Sequence, residues 1–154
     1  MSLFNRRIEI DINPHGDGNG MFRLVTSLSD IYHDIILTLF IAGQEFRIVE
    51  AQVEMKRIPH PRCREICRLA NSLTGLTVSP GFARQVQASL GGEDGCPNMV
   101  NLVLLTAPLV INVTVMQRLL QEELSPEQQD AAWQGALGGV CAAYPKRERT
   151  CTMA

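Results

Sequence analysis

The chain has 154 residues, 45% hydrophobic and 19% charged, enough apolar material for one buried core and too few charges for an extended, self-repelling chain. A formal net charge of −2, with the basic residues spread along the chain, excludes the concentrated basic patch expected of a nucleic-acid or membrane-surface partner. Five cysteines, an odd number, behind a start "MSLFNRRIEIDI" that lacks the apolar stretch of a secretory signal, argue against a disulfide scaffold and predict a cytoplasmic protein with reduced thiols.

The chain opens with Ile8, Ile10 and Ile12 alternating with Arg7, Glu9 and Asp11, the period-two pattern of a half-buried strand. "NPHGDGNG" breaks it with turn residues, and His15 in that loop carries no assigned role. A second strand is expected over Phe22 to Leu28, and a third over "DIILTLFIA", with Ile35, Leu37, Leu39 and Ile41 on one face. In a fourth, Val49, Ala51, Val53 and Met55 are predicted to face one way and Glu50, Gln52, Glu54 and Lys56 the other. A solvated face of this kind belongs to antiparallel sheets, since parallel strands covered on both sides are apolar throughout.

From Ile58 onward the pattern turns helical. Pro61 suits a first helical position, and Cys63, Ile66, Cys67, Ala70 and Leu73 follow at helical spacing until Gly75, predicting a helix over 61–74. Ser79 and Pro80 read as the start of a second over 80–90, with Phe82, Val86 and Leu90 as its stripe. Pro97 opens a third through "MVNLVLLTAPLVINVTVM", predicted over 97–123 with a kink at Pro108; Asn101, Thr106, Pro108, Asn112 and Thr114 make that run a poor membrane span. "SPEQ" at Ser125 is a capping-box start. The expected fold class is α+β: one domain over 1–154, core about 6–142, in which an antiparallel β-meander is followed by helices packed on one face, with a loose tail over 145–154. The third helix is apolar nearly all round, more than one small sheet can cover, so a homodimer is expected.

The chemistry-bearing residues are the cysteines at apparent helix starts. Cys63 in the first turn of one helix and Cys96 at the cap of another lie where partial positive charge favours the thiolate, the form that binds metals. Cys67 follows one turn after Cys63, as a further ligand or a core residue. His33 and Asp34 in "DIYHDIIL", and His60 between two prolines, complete the candidates, since a thiolate or imidazole set with an open position suits zinc or iron. The rival readings are a non-metal interaction or small-ligand-binding module with structural cysteines, and a thiol enzyme using Cys63 or Cys96, for which no base is placed by sequence. Whether the chain is an enzyme stays open. Glycine-rich phosphate loops, GxSxG and HExxH are lacking.

Read together, "RRIEI", "YHDIILTL", "IVEAQV", the cysteine of "HPRC", "LTGLTVSPGF" and "LGGEDGC" resemble the bacterial family catalogued as domain of unknown function 2889, over about residues 6–105. That resemblance implies a histidine-aspartate pair before the third strand, here His33 and Asp34, a cysteine in the first helix turn, here Cys63, and a Gly-Cys pair, here Gly95 and Cys96. Asn98 stands where family members carry a histidine. The order of elements is also similar to that of the U-type iron-sulfur cluster scaffolds, which hold a cluster with three cysteines and an aspartate. By that likeness His33, Asp34, Cys63 and Cys96, with Cys67 in reserve, form a metal or iron-sulfur site, histidine standing in for the first cysteine.

Overall fold

The computed structural model of the protein describes residues 3–16 and 20–146. Cys151 and most of the expected loose tail lie outside the described residues. By contacts the chain divides into two compact units, 1–110 and 111–154, each described below by itself.

Four strands form one antiparallel sheet in chain order: β1 (Arg6–His15), β2 (Met21–Asp30), β3 (Asp34–Ala42) and β4 (Arg47–Arg57). The period-two alternation is the cause. β2 turns Phe22, Leu24, Thr26, Leu28 and Asp30 toward the core, and β3 turns Ile35, Leu37, Leu39 and Ile41 the same way. Pairing of Ile8 with Leu28, Ile10 with Thr26 and Ile12 with Leu24 puts the isoleucines of β1 on that face at its thinly covered edge, where Ile8 is 38% exposed. The other face carries Arg7, Glu9, Asp11, Glu50, Gln52 and Glu54, as a half-solvated antiparallel sheet requires.

β4 departs from the expected alternation. Phe40 pairs with Glu50 but Ile41 pairs with Ile48, so Val49 is the extra residue of a bulge. The bulge moves the pattern by one position, burying Ile48 completely and leaving Val49 37% exposed. Ile48 then bonds the chain that follows the next element: its N–H donates to the Leu76 carbonyl at 2.8 Å, and Gly75 N–H donates to its carbonyl at 2.8 Å.

Beyond the sheet, Pro61–Leu73 is a 3-10 helix and not the α-helix expected. Its covered residues are Cys63, Ile66, Cys67, Leu69, Ala70 and Leu73, and Cys63 N–H bonds the His60 carbonyl three residues back at 3.0 Å, the hydrogen bond of a 3-10 turn. α1 (Phe82–Leu90) starts two residues later than expected. Gly81, at φ 95°, occupies the cap in the left-handed region, and the Ser79 hydroxyl donates instead to the Thr77 carbonyl at 3.3 Å. α2 (Pro97–Thr106) buries Met99, Val100, Leu102, Val103 and Thr106 over the sheet. The apolar run then breaks at Ala107–Pro108, as Pro108 foretold, because proline has no N–H to continue the ladder.

α3 (Leu109–Gln121) resumes across the boundary of the two units, and α4 (Pro126–Leu137) follows in the second. Ser125 caps α4 through the full capping box with Gln128. Within the second unit α3 stays poorly covered: Met116 is 50% and Leu120 83% exposed. Pro97–Gln121 is long and apolar enough to cross a membrane by length and composition, and 39% of its most apolar window is buried.

One polar contact lies inside the core of the first unit. The hydroxyls of Thr26 on β2 and Thr106 on α2, both fully buried, hydrogen-bond each other. Thr106→Ala strands the Thr26 hydroxyl and should cost about 1–3 kcal/mol in urea denaturation. Valine at both positions should cost clearly less than the two single valine substitutions added, and simple additivity would mean that the hydroxyls are not partners.

Candidate functional site

The turn Asp30-Ile31-Tyr32-His33 joins β2 to β3, and its first residue organises it. Asp30 ends β2 on the core face with its side chain fully buried. Aspartate at the head of a turn accepts bonds from the backbone two and three residues on, and Oδ1 does so from Tyr32 N–H and His33 N–H, each at 2.7 Å. Oδ2 is gripped from β1 by Arg6, with Nε at 2.9 Å and the second guanidinium nitrogen at 2.7 Å, and the His33 ring nitrogen Nδ1 lies 3.1 Å from Oδ1. Burial alone would raise the Asp30 pKa, but the Tyr32 N–H, the Arg6 guanidinium, the His33 N–H and the His33 ring together hold it far below the usual carboxylate range. An ionised carboxylate only accepts, so Nδ1 carries the proton and Nε2 is the nitrogen left over.

Two further bonds tie the turn to other elements. Arg57, at the end of β4, donates Nη1 to the Asp30 carbonyl, and Arg6 Nη1 donates to Asn98 Oδ1 in the first turn of α2 at 3.0 Å. The entry of β3 therefore lies beside the exit of β4, as the meander predicts, with Asp34 opposite Arg57 in the ladder. The start of α2 is brought to the same end of the sheet. Sequence reading stopped at His33 and Asp34 and missed Asp30; its signal was available, an aspartate three residues before the histidine at the head of a turn.

The predicted ligands occupy this end of the molecule without forming a set. His33 has its ring on Asp30. Asp34 pairs in the ladder with Ser29 and Arg57, on the face away from the helices. Cys63 lies in the first turn of the 3-10 helix, which His60 caps by accepting the Arg62 N–H. Cys96 caps α2, its own N–H bonded to the Leu90 carbonyl at 2.8 Å. Cys67 is near enough to Cys96 for their charges to interact: burial pushes the Cys67 thiol up, Arg64 draws it back, and Cys96 adds to the rise. Among the described residues no group of three or more His, Cys, Asp or Glu side chains is arranged to hold a metal ion.

What the cysteine region does form is a cleft. A recess of about 510 Å³ separates the 3-10 helix from the loop before α2. Arg62, Cys63, Glu65, Ile66, Arg68 and Leu69 line one wall; Glu93, Asp94 and Gly95 line the other. The 3-10 repeat explains the wall, because residues three apart are eclipsed and Cys63, Ile66 and Leu69 stack as one strip.

In comparisons with known proteins, residues 5–112 match the family described as "Protein of unknown function (DUF2889)". No curated protein and no solved structure matches the chain, so the likeness to U-type iron-sulfur scaffolds is not supported.

The Asp30 cluster generates a stability prediction. A carboxylate whose folded pKa is depressed contributes stability in full above its unfolded value near 3.9, and that contribution is lost as pH falls toward and through the folded value. Asp30→Asn should therefore cost about 3 kcal/mol at neutral pH, and the gap between wild type and variant should close progressively below about pH 4. Denaturation curves across that range check it; a gap independent of pH would mean that the charge of Asp30 contributes nothing.

Proposed function

Given that the chain belongs to the DUF2889 family, whose description assigns no activity, we propose from the geometry that it is a binding module whose ligand seats in the cleft between the 3-10 helix and the loop before α2. The cleft itself carries the reading. Arg62 stands on one wall with Arg68, which Glu65 of the same wall pairs at 3.5 Å; Glu93 and Asp94 stand on the other, and Ile66 and Leu69 supply apolar contact. Convergent charges of both signs about a short apolar strip suit a small ligand or peptide segment that carries both a cationic and an anionic group. Cys63, Cys67 and Cys96, each partly covered, then act as small packing residues.

A metal centre is the second reading, for which the structure offers the closeness of Cys67 to Cys96 and Cys63 at the edge of the same cleft, against a Cys67 thiol that burial holds in its protonated form. It requires the thiols to draw together around an ion. Elemental analysis and an absorption spectrum of protein purified without oxygen separate the two readings: stoichiometric zinc or iron lost in both Cys67→Ser and Cys96→Ser would favour the centre.

For the binding module, isotopically labelled protein is titrated with dipeptides bearing one basic and one acidic side chain. Amide shifts should cluster at residues 62–69 and 93–95, and Leu69→Trp, which plugs the cleft, should abolish them while leaving the remaining spectrum intact. Shifts dispersed over the sheet, or preserved in the plugged variant, would contradict the proposal.

A further inference from the structure

A second recess opens on the opposite face of the same sheet end. It measures about 330 Å³ and is lined by Asn5, Arg7, Ser29, Asp30, Ile31 and Arg57. The ladder explains the grouping: Arg7 pairs with Ser29, Ser29 with Asp34 and Asp34 with Arg57, a row across all four strands on the face the helices leave open. We propose that Arg7 and Arg57, with the Ser29 hydroxyl and the Asn5 amide, form a binding site for a small oxyanion of the phosphate class.

Four observations carry this. Arg57 is a positioned cation: its Nη1 donates to the Asp30 carbonyl, and among the described residues no other side chain takes its remaining guanidinium donors. Arg7 is a cation in reserve: its acidic partner among the described residues, Glu9, is 3.8 Å away with both side chains largely exposed, a pair that an oxyanion displaces at little cost. The carboxylate of Asp30 does not offset these charges, because it lies on the core face and is occupied by Arg6 and His33. Among the described residues neither the Ser29 hydroxyl nor the Asn5 amide is engaged by another side chain, so both can donate.

The charges around the recess set the selectivity. Asp34 stands between Ser29 and Arg57 in the row, and the rest of the open face is mixed in charge, carrying Glu9, Asp11, Glu50 and Glu54 together with Arg23. Asp34 does not line the recess but stands beside Arg57 in the ladder, so binding is limited to a group small enough to meet both guanidiniums within the recess itself. Two guanidiniums also favour the doubly charged phosphate over a carboxylate.

Inorganic phosphate, titrated at constant ionic strength against chloride and against acetate, tests the site by amide and arginine Nε shifts. Saturable shifts at residues 5–7, 29–31 and 57 are expected with phosphate, weaker with acetate, and Arg7→Gln should weaken phosphate about tenfold, the loss of one charge-assisted contact. Arg57→Gln should do the same, with the His33 ring signals reporting that the turn stays in place. Equal shifts in chloride, tighter acetate than phosphate, or unchanged affinity in Arg7→Gln would each overturn the assignment.

Discussion

The β2–β3 turn and the elements tied to it depend on one buried carboxylate. Asp30 lies inside the core face of the sheet, where an isolated charge is costly, and the molecule compensates by bringing donors to it from three directions. Two are the backbone of its own turn, one is a guanidinium from the edge strand, and one is an imidazole. Satisfying the charge therefore closes the β2–β3 turn, fixes the ring of His33, and holds β1 against β2 at its open end. Through Arg6 and Asn98 the same cluster reaches α2, and through Arg57 it reaches the end of β4. Removing one partner from such a set leaves the others with unpaired charge, so its parts act together.

The consequence is a sheet end with two different faces. On the covered side the 3-10 helix and the loop before α2 leave a cleft in which both signs of charge flank an apolar strip. On the open side the ladder lines up Arg7, Ser29, Asp34 and Arg57 beside a smaller recess. Arg57 belongs to both the structural cluster and that recess, so order in the turn and readiness of the open face are linked through one side chain.

Much of the architecture was legible from local pattern. Alternation placed the strands, prolines at 61 and 97 opened the elements they precede, Pro108 interrupted the apolar run, and Ser125 with Gln128 capped the final helix. Pattern failed where one residue changed the count or the pitch. The bulge at Val49 exchanged the inward residue for Ile48, and no turn residue marks it. The 3-10 geometry of Pro61–Leu73 was hidden because Cys63, Ile66, Cys67, Ala70 and Leu73 are spaced three and four apart, the pattern of an α-helix. At the site, sequence drew attention to His33 and to the cysteines near helix starts. It could not weigh them, because whether a cysteine is ligand or packing depends on which side chains converge. Asp30 reads in sequence as the end of an apolar strand, and its partner Arg6 is 24 positions away.

Amide hydrogen exchange at Tyr32 and His33 tests the central role of Asp30 most directly. Both amides sit in a turn whose Ile31 and Tyr32 side chains are 59% and 56% exposed, where exchange would ordinarily be fast. Bonded to a buried, ionised Asp30, they should exchange at least about a hundredfold more slowly than an open loop, and Asp30→Asn should release both together. Rapid exchange at these two amides in the unmodified protein, or protection that survives Asp30→Asn unchanged, would contradict the account.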